Sequence, residues 1–371
     1  MTLIPRPLLR RTFLQRLAAT AALASLPGAA VNAQPAPAAS IPEDHPLQAA
    51  WQAWRSSYIA PEGRVVDSFQ QGASHSEGQG YGMALALSFG DGETFRRLYS
   101  WTETNLALRP DALLAWRWLP DALPHVADRN NASDGDLFYA WALARAARLF
   151  DVPDYAARAR AIAADLVATC VVTMPDGSAE VMLPAAAGFL TETGFILNPS
   201  YWMPRAMRDL AAATDQPALA RCADGAERLM SQMAANGLVP DWVEVTADGI
   251  TLPPARFSAN SGYEALRVPL FLVWSRANTH PAVRGFTEAH RAAETGDLRA
   301  PTVFERGTGR VLEYSTHAGY RAVAALTACA GAQRAGSAIP PFDTAQPYYP
   351  ATLHLMTLVA QIEGYPRCVP L

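Results

Sequence analysis

Three short polar stretches interrupt an otherwise apolar chain, and each holds carboxylates at spacings that could do chemistry. The first is Ser74-His75-Ser76-Glu77-Gly78-Gln79-Gly80-Tyr81-Gly82. Glu77 falls where a helix should begin, because the next turns, Met83 to Phe89, are apolar. An acidic group in a first helical turn is favoured by the helix dipole, and the glycines let a backbone or a substrate come close. Taken alone, a helix start is the simpler account. The second stretch is Asn130-Asn131-Ala132-Ser133-Asp134-Gly135-Asp136. Two carboxylates at this spacing could hold calcium, but the twelve-residue loop with its closing glutamate is missing. Capping of the following helix by Asp134 is the simpler account there. The third is Asn260-Ser261-Gly262-Tyr263-Glu264-Ala265-Leu266-Arg267-Val268-Pro269. Glu264 and Arg267 would share one face of a helix. A surface ion pair usually keeps more polar company than the run Leu266 to Trp274 provides. Aromatic residues attend these stretches: Tyr81, Trp116, Trp118, Tyr201, Trp202, Trp242 and Tyr263. Flat rings with polar edges suit sugars, although core packing is their commoner use.

Composition removes several alternatives. The chain has 371 residues, a net charge of -4 and 50% apolar residues, enough for a large core. The balanced charge argues against a nucleic-acid binder. All 30 basic residues are arginine. No lysine is available as nucleophile, Schiff base or phosphate-loop residue. The four cysteines, Cys170, Cys222, Cys329 and Cys368, form no CxxC pair, so a zinc cluster is not expected. Two disulfides and four buried thiols both remain open. Nothing in the pattern demands a metal or a cofactor.

Residues 1–33 read as an export signal. Arg10 and Arg11 precede the apolar run Leu17 to Ala30, and Val31-Asn32-Ala33 offers a small-residue exit. The run is short for a membrane span. The segment LRRTFLQ also resembles a twin-arginine signal, with an ordinary Sec signal as the alternative. Cleavage near Ala33 would leave an Ala/Pro-rich tail, residues 34–40, and a soluble protein in the periplasm or outside the cell, with no membrane span.

The elements that must position the polar stretches are helices. Apolar spacing predicts them over about 46–58, 77–90, 93–107, 133–150, 154–172, 201–213, 216–234, 261–275, 283–294, 315–333 and 347–362. A twelfth could lie in Asp111–Leu123. Ser133 with Asp136 forms a cap pattern. Asp215 with Pro217 opens one helix, which Asn236-Gly237 closes. Strand-like pieces appear at Ala179–Leu183 and Trp242–Val245. Length alone would allow two domains, but no linker divides the body, and βαβ alternation is missing. The expectation is one mostly helical domain over 41–371.

Seven segments, in order, resemble glycoside hydrolase family eight: SEGQGYGMALAL at 76–87, WTETNLA at 101–107, LLAWRW at 113–118, NASDGDLFYAWAL at 131–143, NPSYWMP at 198–204, GLVPDWVEV at 237–245 and SGYEALRVPL at 261–270. Within that family the chain is most similar to exported endoglucanases that accompany bacterial cellulose synthesis. The resemblance implies an (α/α)6 barrel of six inner and six outer helices, with short strands in the connecting loops. It implies hydrolysis of β-1,4-glucan with inversion, without metal or cofactor. Glu77 matches the general acid. Asp134 matches an aspartate that binds the sugar at the cleavage point, and it is the reserve base. Tyr201 matches a tyrosine near the nucleophilic water, and Arg267 would orient the base. The aromatic residues named above, with Arg267, are candidates for substrate binding. The subgroup carries its general base as the aspartate of a YDAxR motif, whereas this chain has Glu264 there. Glutamate has the same chemistry and one more methylene, so it either crowds the water or sits on a backbone set further back. Partners implied are β-1,4-glucan chains and a bacterial cellulose synthase complex. Alternatives are a related hydrolase acting on xylan, mixed-linkage glucan or chitosan, and a weakly catalytic glucan-binding subunit of the secretion complex.

Overall fold

The computed structural model describes residues 41–371 except residue 334; the expected signal and tail, 1–33 and 34–40, lie outside the described residues. Eleven α-helices follow one another among the described residues. They are Gln48–Tyr58 (α1), Ser76–Ser88 (α2), Gly92–Asn105 (α3), Ser133–Phe150 (α4), Pro153–Cys170 (α5), Pro204–Thr214 (α6), Pro217–Ala234 (α7), Arg267–Trp274 (α8), Pro281–Ala292 (α9), Ala318–Ala332 (α10) and Tyr348–Gly364 (α11). Local chemistry sets many of their ends. Pro153, Pro204, Pro217 and Pro281 open four of them, where the missing N–H has no intrahelical role. Asp91 caps α3 by accepting from Thr94 N at 2.9 Å.

Burial sorts the helices into layers. α2, α8 and α11 are apolar on nearly every side and are buried almost throughout, as a helix inside a larger fold must be. α2 packs on α4, α4 on α6, α6 on α8, α8 on α11, and α11 returns to α2. α1, α3, α5, α7, α9 and α10, buried on one face only, cover this ring from outside. The architecture is the (α/α)6 barrel, with all predicted helices present and one fewer than twelve among the described residues. No helix among the described residues is long and apolar enough to cross a membrane.

Short antiparallel strands fill the connections, as expected. Ser74–His75 pairs with Arg117–Trp118, and Val171–Thr173 pairs with Glu180–Met182. Val243–Thr246 is the middle strand between Gly194–Leu197 and Gly249–Thr251. Ala300–Phe304 pairs with Val311–Ser315.

The structure corrects four expectations. Asp111–Leu123 holds no helix, because distant groups take its backbone hydrogen bonds. Asp136 Oδ1 accepts from Leu114 N, Leu106 O accepts from Ala115 N, and Arg117–Trp118 joins a strand pair. Ser261 bridges to Phe304, residues 263–266 form turns, and α8 begins only at Arg267, because a carboxylate from another segment takes the N–H groups of Gly262 and Ala265. Ser133 does not cap α4; it is the first helical residue, and its hydroxyl donates to Leu183 O. Asp215 closes α6 in a left-handed conformation, leaving Gln216 as N-cap of α7.

The cysteines follow neither simple alternative. Cys329 and Cys368 are bridged, while Cys170 and Cys222 are buried thiols. The bridge closes a span of 39 residues and ties the chain's end to α10. Replacing both bridged cysteines with alanine is expected to cost about 2–4 kcal/mol, as loss of a loop-closing cross-link does. A urea midpoint that stays put under reducing conditions would contradict this.

Candidate active site

The first turns of three buried helices meet at one point. Glu77 is the second residue of α2, Asp134 the second of α4 and Arg267 the first of α8. One feature fixes α2 there and a second lets α4 come close to it. Gln79 anchors α2: its Oε1 accepts from Val65 N at 2.6 Å, and its Nε2 donates to Thr102 Oγ1 at 2.7 Å. Gly135 then permits backbone contact, since a Cβ at this position would lie 2.7 Å from Glu77 N and closer still to Ser76 Oγ. The spacing that looked like a cation loop or a cap is a helix crossing that sets two carboxylates side by side.

Arg267 joins them. Its Nη1 donates to Glu77 Oε2 at 2.5 Å, to Asp134 Oδ2 at 3.1 Å and to the Tyr81 hydroxyl at 3.1 Å. Its Nη2 donates to Ser200 Oγ at 2.7 Å and faces Glu264 Oε2 at 3.6 Å. The guanidinium lies over the Tyr201 ring, 5.4 Å from its centroid. Arg267 is 3% exposed, so this is a buried cation compensated by three carboxylates rather than a surface pair.

The carboxylates differ in access. Asp134 is 1% exposed, Glu77 23% and Glu264 37%. Burial pushes the Asp134 carboxyl well above the usual range, and the neighbouring Glu77 adds to this, while Arg267 opposes it. Glu264 is also raised, first by its enclosure in the cleft, and Arg267 again opposes the shift. Each Glu264 oxygen has a donor: Asn198 Nδ2 to Oε2, and Trp242 Nε1 to Oε1 at 3.2 Å. Asp136, by contrast, faces away from this cluster and serves structure. Burial pushes it up to about 7, and it accepts from Leu114 N and from Asn131 Nδ2.

The aromatic candidates separate into two sets. Trp242 lies against Phe189 and Phe257 with its indole N–H on Glu264, and Tyr201 sits 6.1 Å from it. Tyr263 is partly exposed and donates to Glu313. Trp116 stacks on His75, and Trp118 on His125, along the strand pair beside Glu77. These rings keep a solvent-facing side. Tyr81 and Trp202 do not, and the expectation that they bind sugar is corrected. Tyr81 packs edge-on against Phe138 and reaches the site only through its hydroxyl. Trp202 turns inward, donating to Met182 O ahead of α6.

Sequence reasoning overlooked Asn198, Ser200 and Asp241. All three stand inside the quoted segments, within three residues of Tyr201 or Trp242. Their signal was the amide, hydroxyl or carboxylate beside an aromatic residue that was itself singled out. No group of metal-ligating side chains occurs among the described residues.

Comparison with known proteins agrees with this geometry. The pattern of Glycosyl hydrolases family 8 matches residues 19–363. The chain is 36% identical over 316 residues to a probable endoglucanase of Novacetimonas hansenii, covering 84% of this chain and 90% of that one. It is 33% identical over 282 residues to an endoglucanase of Cellulomonas uda, covering 76% and 77%. The solved endo-β-1,4-glucanase CMCax of Acetobacter xylinum superposes with a TM-score of 0.76 at 33% identity, over 85% of this chain and 98% of that one. The chain, with its three carboxylates gathered on one arginine at the head of a helical barrel, belongs to glycosyl hydrolase family 8.

Proposed function

We propose that this endoglucanase cuts internal bonds of β-1,4-glucan with inversion, with Glu77 as general acid and Glu264 as general base. One observation carries the reading: Arg267 holds Glu77 on one terminal nitrogen and faces Glu264 with the other. An inverting pair must be separated by room for a water and the sugar, about 6.5–9.5 Å. Here a guanidinium stands between the two carboxylates, and Glu264, the more exposed, faces the cleft. Asp134 sits behind Glu77. Burial raises the proton affinity of Asp134 itself, with Glu77 adding to the shift. Glu77, more open than Asp134, hands a proton to the leaving oxygen. Glu264, its carboxylate held by Asn198 and Trp242, takes a proton from the attacking water. Asp134 binds the sugar at the cleavage point, while Arg267 orients Glu264 and favours its ionised form.

Trp242, Tyr201, Tyr263, Trp116 and Trp118 supply stacking surfaces along the cleft. Export to the periplasm or beyond, and service to cellulose synthesis beside a synthase complex, rest on the signal-like residues 1–33 and on the resemblance to exported endoglucanases. Hydrolysis of carboxymethylcellulose, followed by NMR of the anomer released from a cello-oligosaccharide, tests the reading. An α-anomer appearing first is the expected result. A β-anomer rules out inversion. No product on glucan, xylan or chitosan, with glucan still bound, leaves the binding-subunit reading.

A further inference from the structure

Glu264 stands in a short irregular turn, a poor mount for a group that must be placed to within a fraction of an ångström. We propose that Asp241 is the positioning residue of the base: its buried carboxylate pins the turn that carries Glu264, and the next residue, Trp242, holds the Glu264 carboxylate itself. This rests on the reading of Glu264 as general base.

The geometry is specific. Asp241 is 6% exposed. Its Oδ1 accepts from Gly262 N at 3.0 Å and from Ala265 N at 2.9 Å, the residues that bracket Tyr263 and Glu264. Its Oδ2 accepts from Ser258 Oγ at 3.0 Å. Its own N–H donates to Asn260 O at 2.7 Å, so the strand-end and the turn are sewn together at both levels. A side chain at position 262 would put a Cβ 2.6 Å from Asp241 Oδ2, so glycine is required for the carboxylate to come this close. The far side of the turn is fixed as well. Ser261 and Phe304 exchange backbone hydrogen bonds at 3.0 and 2.9 Å, and the Tyr349 hydroxyl donates to Tyr263 O at 2.6 Å. The turn can therefore move only if the Asp241 bonds open.

Asp241 also acts through its charge. The charged and titratable groups facing Glu264 are Arg267 from α8, Asp241 from the strand-end, Asp134 from α4, Tyr201 from the turn before α6 and Tyr349 from α11. Arg267 favours the ionised base, whereas Asp241 opposes it. Removing the Asp241 charge while keeping its shape lowers the proton affinity of Glu264. The base then stays ionised to lower pH.

Two variants test this on the mature protein with a soluble cello-oligosaccharide. Asp241→Ala is expected to lower kcat about 100-fold with KM changed less than about threefold, the effect of a reacting group displaced by about 1 Å. Asp241→Asn keeps an acceptor for Gly262 and Ala265, so it is expected to lose less and to shift the acid limb of kcat to lower pH. A merely structural residue would not move that limb. Undiminished kcat in a folded Asp241→Ala, or an unmoved acid limb in Asp241→Asn, overturns the proposal; should the alanine variant fail to fold, the asparagine variant decides. Glu264→Gln, run in parallel, separates the two ideas. If it keeps wild-type kcat, the base assignment itself fails.

Discussion

Glu77→Gln is expected to lower kcat on cello-oligosaccharides about 10²–10⁴-fold, the usual worth of a positioned general acid. KM should change little. Glutamine matches glutamate in shape and still offers an oxygen to Arg267 Nη1, so the contact at 2.5 Å can survive without its charge. The side chain is partly exposed and its tie to Arg267 on α8 is kept by the amide oxygen, so the unfolding midpoint should move little as well. What glutamine cannot do is release a proton. The loss should therefore depend on the leaving group. A cellobioside carrying dinitrophenolate departs without protonation and should lose less than about tenfold. Equal losses on both substrates would mean that Glu77 shapes the site rather than protonating the bond. No loss on either would remove it from the chemistry.

The helical scaffold was legible because its signal is local. α2, α4 and α11 announce themselves through unbroken apolar turns, and proline marks the starts of α5, α6, α7 and α9. Glu77 and Arg267 were legible because polar residues inside apolar runs are costly unless they are paired, as these two are. What stayed hidden was non-local. The segment 261–266 has a helical apolar pattern, and only Asp241, twenty or more residues earlier, diverts its N–H groups. Asp111–Leu123 likewise lost its helix to acceptors on α4 and near α3. No window of sequence contains both partners of such a bond.

The aromatic residues failed differently. Tyr81, Trp202 and Trp242 stand in equally polar company in the sequence, yet the first two are core and the third faces Glu264. The side that a ring presents depends on which face of a helix or turn it occupies. At a helix start that face is set by the crossing partner. For Tyr81 the partner is α4, brought close by Gly80 as well as Gly135, where a Cβ at position 80 would sit 2.9 Å from Phe138 Cβ. The same close crossing that puts Glu77 beside Asp134 therefore drives Tyr81 into the interior.

Arg267→Met is expected to cost about 3–5 kcal/mol of stability near neutral pH, the typical penalty for breaking a buried ion pair from one side. Methionine fills much of the arginine stem's volume, so packing loss is kept small. The cost arises because Glu77, Asp134 and Glu264 remain, close together, without their shared cation. The pH dependence identifies this cause. A carboxyl whose folded pKa lies above its unfolded value weakens the fold at pH above the folded value. That penalty fades as pH falls toward the unfolded value, about 3.9 for aspartate. Asp134 is already raised in the native chain, and removal of Arg267, which opposes the shift, raises it further. Both folded proteins keep the Asp134 proton below about pH 8, so this part of the stability gap between wild type and variant should open near pH 8 and widen toward about pH 10. Urea midpoints across that range measure it. A gap that stays constant with pH would assign Arg267 a packing role. A gap that narrows as pH falls would show that Arg267 holds the three carboxylates together against their mutual repulsion.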